Sequence, residues 1–525
     1  MGALGIRSVV GFSSGEKIKN KYTKIVQNGL LPKTTNPKDV AIIGAGIAGL
    51  VSASLLANAG HNVTIFEASN RIGGRILTVR EPFSNGLYGE AGAMRLPEFY
   101  TLTLDYIKKF KLPKNIFYNH AFPKGNEQEK ENRVNEYIFV NGVKKRRFEY
   151  EENPDDLKYP LDPIEKGYTA EKLLELALRP IVEYVKKEPI EHYKHNRWKQ
   201  VIQRFGEYSV REYLKKQTFY SEAAIEMIEV LMGLESRSNQ SLIQQIIEIN
   251  DHGSDVKYWE ITGGMDKLPL KFFEELKKLK VNTNFNHRLI GITQNSNEKP
   301  VTLYFEPDSS NNSSSNEKFQ SESQTNAVIV TVPFPGLRYV KMDPLLSHNK
   351  RKAIRELHYD AATKILLEFK SRFWEINDHI YGGCTITDLP CRFIYYPSHG
   401  WDDDGGGVVI CSYTWGDEAR GWDALSKEDQ IRNVLDDMEL IHGPCVHEEY
   451  VRGSGVVQSW ATDRYSYGEA AMFYSGQLEE LQTFIPTQEG NIHFAGEHTS
   501  LKHAWIEGAI ESGIRVALEI NENGK

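Results

Sequence analysis

Cysteine is scarce in this sequence. Only Cys384, Cys391, Cys411 and Cys445 occur, and none forms a CxxC pair or joins a histidine at zinc-ligand spacing. That argues against a disulfide framework and against a metal site, so no metal is expected. It leaves four small thiols packed or idle, with Cys384 and Cys391 placed to meet across a hairpin if the setting is oxidising. Missing too is any run of about 18 apolar residues, the length needed to span a bilayer. Residues 1–36 lack the apolar core and cleavage site of a secretory signal, which makes a cytoplasmic location the default and leaves export by another route open. Nor is there an excess of positive charge. The chain carries 63 Lys and Arg against 71 Asp and Glu, a net −8, which gives no electrostatic case for nucleic acid or an anionic membrane as partner. At 525 residues the chain is long enough for roughly two or three core-forming units.

What is present is a stretch that reads as a buried strand, a glycine turn and a helix: Val40 to Ile43, then Gly44-Ala45-Gly46-Ile47-Ala48-Gly49. Gly44 permits the tight turn, Gly46 lets backbone approach a pyrophosphate, and Gly49 lets helix and strand pack closely. The free N–H groups of Ile47 and Ala48 at the helix start then face the phosphates. A helix to Ala59 ends at Gly60, and a second apolar strand, Asn62 to Phe66, ends at Glu67 beside Ala68. An acid about 20 residues beyond the glycines is placed to accept hydrogen bonds from an adenosine ribose. Arg71-Ile72-Gly73-Gly74-Arg75 follows, in which two guanidinium groups flank a glycine pair and can meet pyrophosphate or flavin.

Strand, GAGIAG, helix, strand, Glu and then RIGGR resembles the flavin amine oxidase family, and in particular its L-amino-acid oxidase branch. The resemblance runs from about residue 36 to 520. It implies an α/β fold with three parts: a Rossmann-like FAD-binding domain (37–77, 267–356 and 486–525), a mixed-sheet substrate-binding domain (5–30, 78–134 and 357–485) and an inserted, mainly helical domain (135–266). Monoamine oxidases carry a C-terminal membrane helix, whereas this chain stops soon after its last helix, so a soluble oxidase, expected as a homodimer, is the closer likeness.

The same resemblance assigns residues. Gly92, Ala93 and Met94 lie in a small-residue run that lets backbone pass close to a planar ring, and Arg95 in Gly-Ala-Met-Arg-Leu-Pro takes the position that binds the substrate carboxylate. A guanidinium makes two parallel charge-assisted bonds to a carboxylate. Gly263 to Pro269 matches a GGMDKLP segment of the amino-acid-oxidase branch, and Leu289 falls where backbone groups hold adenine. Lys364 matches a lysine associated with the reaction of reduced flavin with oxygen. Tyr413 matches a second carboxylate ligand, with Trp415 on the same strand face. Gly496 and Glu497 would contact the ribityl and phosphate region, Ala504 would offer its carbonyl to the substrate ammonium, Trp505 would wall the site and Ile506 would abut the flavin. Where venom oxidases carry a mobile histidine this chain has Glu248, which would suit a lysine or arginine side chain if it faces the pocket.

The rest of the chain reads as support. An amphipathic helix is expected before Pro32, another over Ala170 to Lys187, a capping box at Ser209-Val210-Arg211-Glu212, a helix start at Ser221, a strand over Ala327 to Val332 and a last helix over Gly508 to Ile520. Residues 307–326 are too polar to bury and read as a hairpin tip. The expected function is oxidation of L-amino acids by O2 to 2-oxo acid, ammonia and H2O2, with FAD as cofactor and broad specificity. Lack of a Ser/His/Asp triad is no objection, because the redox chemistry belongs to the flavin. The alternatives are a tryptophan 2-monooxygenase-like or monoamine oxidase activity, and a flavin-stabilised binding protein.

Overall fold

A computed structural model describes residues 15–522, apart from 30, 85, 122–134, 187, 189, 191–192, 253–255, 295–299, 307–320 and 402–404. Most of the polar stretch expected at a hairpin tip therefore lies outside the described residues; its end, Ser321–Thr325, is a strand paired antiparallel with Val301–Phe305.

The strand Asp39–Ile43 is the centre of the first layer. It pairs in parallel with Asn62–Phe66 on one side and Ala327–Val330 on the other, and Asn282–Asn284 and Ile492–Phe494 complete five parallel strands. Its residues alternate between two cores. Val40 and Ile42 pack with Leu50, Val51, Ile510 and Ile514 of two helices, whereas Ala41 and Ile43 pack with Phe66, Val328 and Phe305. Burial on both faces explains the unbroken apolar run. The helix Ile47–Ala59 starts at Gly46 and ends at Gly60, which takes the left-handed conformation at φ 102°. The last helix runs Ile506–Glu522, opening two residues earlier than its sequence suggests.

A second, mixed sheet holds seven strands in the order Val456–Ser459, Ala362–Phe369, Gly407–Trp415, Phe393–Tyr395, Cys384–Thr387, Tyr137–Val140 and Val143–Arg146. Residues 137–146, grouped by sequence with the helical region, are the outer hairpin of this sheet; their alternation is too short to separate them from the helices that follow. Cys384 lies opposite Tyr395 in the ladder, and Cys391 sits in the connecting turn with its N–H donated to Asp437, so the two thiols are free and buried rather than joined.

In the chain, five helices follow the hairpin at 137–146: Ala170–Val185, Arg197–Phe205, Val210–Gln217, Glu222–Leu231 and Leu242–His252. Thr169, Asn196, Ser209 and Ser221 cap four of them through side-chain oxygens. The Ser209 box is complete in both directions, with Glu212 accepting from the Ser209 N–H. Leu174, Ile181, Trp198, Ile228 and Ile246 fill the space among them. A three-stranded sheet of Leu96–Pro97, Tyr258–Ile261 and Lys114–Phe117 ties this region to the segment carrying Arg95. Before all of these, Gly15–Asn28 forms the amphipathic helix expected ahead of Pro32.

Candidate active site

The glycine turn opens onto a cavity of about 800 Å³ that runs to Arg95, Tyr413 and Trp505. Gly44 stands at φ 110°, and a Cβ there would lie 2.4 Å from Thr331 Oγ1. At Gly49 a Cβ would lie 2.1 Å from the Gly44 carbonyl oxygen, so helix and turn touch through backbone alone. A Cβ on Gly46 would meet nothing within 4 Å, which leaves open space in front of an uncapped helix start. That combination of free N–H groups, a positive dipole end and room is what a pyrophosphate requires.

Glu67 closes the strand beside this turn. One carboxylate oxygen accepts from Ala45 N–H at 2.7 Å and the other from the N–H and hydroxyl of Ser69. Glu67 thus braces the glycine turn while lining the cavity. The two arginines of RIGGR are also held by protein. Arg71 donates to the Gly74 carbonyl at 2.8 Å; Arg75 donates to the Glu469 carbonyl at 2.7 Å and to Glu497 at 2.9 Å. Burial pushes the Glu497 carboxyl up, but Arg75 and its other neighbours outweigh this and hold it below the usual carboxylate range. Glu497 also accepts the N–H groups of Ala471 and Ala504, so one buried anion joins the RIGGR turn to the C-terminal wall. Ala504 stands at φ 64°, an uncommon conformation for a residue with a Cβ, and is exposed to the cavity.

Arg95 enters from the small-residue run. Its Nη1 donates to Asn119 Oδ1 at 2.7 Å and to the Tyr395 hydroxyl at 3.5 Å, and its guanidinium lies 5.3 Å from the Tyr258 ring centre and 5.8 Å from that of Tyr395. Among the described residues no carboxylate is within ion-pair distance of it. A half-buried cation surrounded by aromatic faces and hydroxyls is electrostatically incomplete, and an anionic ligand would complete it.

The strand register explains the next group. Lys364 lies opposite Tyr413 and Ala362 opposite Trp415 in the antiparallel pair of Ala362–Phe369 and Gly407–Trp415. The Lys364 ammonium lies 4.4 Å from the Tyr413 ring centre, and the Tyr413 ring lies tilted against Trp415 with ring centres 4.2 Å apart. Lys364 does not line the cavity. It is 1% exposed, one layer behind the wall, where it donates to the carbonyls of Glu90 at 3.1 Å and Gly92 at 2.7 Å. A buried ammonium must find acceptors, and the small-residue run supplies them. Burial drives its pKa down to about 7, with Arg95 adding to the effect and Glu90 and Glu469 opposing it.

Of the residues expected at the site, all but Gly49 and Lys364 line the cavity, including Glu248, Leu289, Gly496 and Ile506. Glu248, on Leu242–His252, accepts from Gln244 at 3.3 Å, and burial raises its pKa. Several residues at the site were not anticipated. Glu469 lines the cavity and accepts the Tyr413 hydroxyl at 3.2 Å; burial, reinforced by Asp360, pushes its carboxyl up to about 8. Tyr395, Tyr258 and Arg237 also face the cavity, and Trp460 donates to the Ala91 carbonyl at 3.0 Å. Tyr395 sits in a strand of alternating aromatics and could have been proposed from that pattern; Arg237 lies in an irregular turn with no sequence signature.

The length of the cavity, the open cradle at Gly46 and the acid at Glu67 fit a flavin dinucleotide laid from Leu289 and Glu67 past the helix start toward Arg95. A flavin containing amine oxidoreductase family model matches residues 47–521. The chain is 43% identical to a putative L-amino-acid oxidase, YobN, of Bacillus subtilis, covering 96% of this chain and 98% of that one. It is 37% identical to an L-amino-acid oxidase of Crotalus adamanteus (95% and 90% covered) and 32% identical to an L-glutamate oxidase precursor of Streptomyces viridosporus (95% and 88%). Among solved structures, cyclohexylamine oxidase from Brevibacterium oxydans superposes with a TM-score of 0.71 at 17% identity (93% and 99% covered), and putrescine oxidase bound to putrescine with 0.70 at 19% (94% and 99%), which shows a shared fold. FAD is accordingly the cofactor for which this cradle is built, and the chain belongs to the flavin containing amine oxidoreductase family.

Proposed function

We propose that this flavoprotein oxidises free L-amino acids, converting substrate, O2 and water to a 2-oxo acid, ammonia and H2O2. The observation that carries the reading is Arg95: a half-buried guanidinium at the end of the cofactor cavity, with no carboxylate partner among the described residues. An amine without a carboxylate would leave that charge unanswered, whereas an amino acid answers it with two charge-assisted hydrogen bonds. The relatives named as L-amino-acid oxidases support the same assignment.

FAD, when bound, supplies the acceptor for the two electrons leaving the substrate Cα and returns them to O2. The chain's own residues supply position. Arg95, with Tyr395 and Tyr413 beside it, fixes the carboxylate, and this orients the Cα–H toward the space in front of Gly92 and Ala93. The Ala504 carbonyl and Trp505 bound the amino side, and Tyr413 and Trp415 form an aromatic wall for the side chain. Lys364 holds the Gly92 carbonyl from behind and carries a titratable proton next to that wall. The Tyr413 hydroxyl donates to Glu469, so binding a carboxylate there requires that bond to be shared or released.

The reading is tested by mixing the holoprotein anaerobically with L-phenylalanine, L-leucine and the corresponding amines that lack the carboxylate, phenethylamine and isoamylamine, and following flavin absorbance. Rapid bleaching by the amino acids alone is expected. Equal bleaching by the amines would move the function to amine oxidation. Mass spectrometry of the aerobic product separates a 2-oxo acid from the carboxamide of a monooxygenase.

A further inference from the structure

We propose that Arg237 is the receptor for a polar side-chain terminus of the substrate, so that dicarboxylic L-amino acids and their amides are the preferred substrate class. The inference rests on the reading of Arg95 as the α-carboxylate ligand and adds a second cation at the other end of the same pocket.

Three contacts mark a path between the two. The Lys364 ammonium lies 4.4 Å from the Tyr413 ring, the Tyr413 and Trp415 ring centres are 4.2 Å apart with the rings tilted by 44°, and the Arg237 guanidinium lies 5.0 Å from the Trp415 ring centre. Arg95 meets the Tyr413 end of that row through Tyr395, whose ring centre is 6.3 Å from that of Tyr413. A substrate anchored at Arg95 and lying along Tyr413 and Trp415 therefore brings its side-chain end toward Arg237. The nucleotide cradle is built by other elements, so Arg237 is not needed there.

The guanidinium is also poorly satisfied. Of its five N–H groups, one makes a long bond to the Gly233 carbonyl at 3.4 Å, and the buried Nε finds no acceptor among the described residues. No described carboxylate lies within ion-pair distance of it. The carboxyls that feel its charge are Glu248 and Glu469, and burial pushes both toward the neutral form. The Trp415 face supports the cation without neutralising it. The guanidinium therefore offers a planar fork of donors, with no ion-pair partner among the described residues, to a carboxylate or an amide oxygen.

The test uses oxidised holoprotein and four unreactive acids, read by the change in flavin absorbance on binding: butanoate against succinate and pentanoate against glutarate. Within each pair the chain length is fixed and only the second carboxylate differs. The diacid is expected to bind at least about tenfold more tightly in one of the two pairs, as a charge-assisted hydrogen bond allows. Arg237→Met removes that advantage, and Arg237→Lys restores part of it. In turnover, kcat/KM for L-glutamate relative to L-norvaline falls by a similar factor in Arg237→Met. Monoacids that bind with diacids no tighter in either pair, or an advantage that survives Arg237→Met, overturn the Arg237 assignment alone. Failure of all four acids to bind overturns the Arg95 reading and this inference with it.

Discussion

Glu469 couples carboxylate binding to pH. Its carboxyl accepts the Tyr413 hydroxyl at 3.2 Å, and burial, reinforced by Asp360 and opposed by Arg237, Lys364 and the Tyr413 bond, lifts its pKa to about 8. Below that value the group is neutral and tolerates a second carboxylate on the far side of Tyr413; above it, two anions share one hydroxyl. At a separation of roughly 6 Å, one hydrogen-bond length beyond Tyr413, like charges repel by about 3 kcal/mol at an effective dielectric of about 20, or roughly 100-fold in affinity. Because the complex favours protonated Glu469, affinity is full below about pH 8 and falls by about tenfold per pH unit above it. Titrating oxidised holoprotein with pentanoate between about pH 6.5 and 9.5 should show that decline. Glu469→Gln, which keeps an acceptor for Tyr413, should flatten it. A decline that persists in the Gln variant refutes the reasoning and transfers the titration to Lys364, whose pKa near 7 would also set a lower midpoint.

Other consequences follow from the same contacts. Gly49→Ala places a Cβ 2.1 Å from the Gly44 carbonyl oxygen, so the turn must shift; FAD affinity should fall at least about tenfold, seen as flavin lost on gel filtration. Arg75→Met leaves the Glu497 carboxylate buried without its cation, at a cost of about 3–5 kcal/mol, and should lower both Tm and flavin content. Since Glu497 is held below the usual carboxylate range, its contribution in the wild type is present above the unfolded pKa and is lost as pH falls through the lower folded value. Arg75→Met should therefore narrow the gap to the wild type in acid, and Arg75→Met with Glu497→Gln should recover part of the loss. Burial raises the pKa of Glu248, so any preference for L-lysine over L-phenylalanine that its carboxylate confers should weaken as pH falls, and Glu248→Gln should remove that pH dependence of the turnover ratio.

The nucleotide half of the site was legible in the sequence because local rules determine it. A buried strand, three glycines at fixed spacing and an acid at the end of the next strand have one compact arrangement, and the structure shows it at Gly44, Gly49 and Glu67. Arg95 was visible for a similar reason, as a lone cation ending a run of small residues. Lys364 was only half legible: a lysine in an apolar strand announces a buried ammonium, but its position behind the cavity wall depends on which carbonyls the Gly89 to Met94 segment turns toward it. Glu469 and Arg237 were not legible at all. Each is an ordinary charged residue in an irregular segment, and only the meeting of the seven-stranded sheet, the helical region and the RIGGR turn brings them into one cavity. The hairpin at 137–146 was misplaced because its four-residue strands carry too few alternations to outweigh the helices after them.

The proposed function turns on whether Arg95 holds the substrate carboxylate. The most direct test is the anaerobic rate of flavin bleaching by L-phenylalanine in Arg95→Met set against the wild type, at matched flavin content. Loss of two charge-assisted hydrogen bonds predicts a fall of about 100-fold or more in the rate per unit of substrate, with bleaching by phenethylamine unchanged or raised. A variant that bleaches with L-phenylalanine as fast as the wild type would return Arg95 to a structural role.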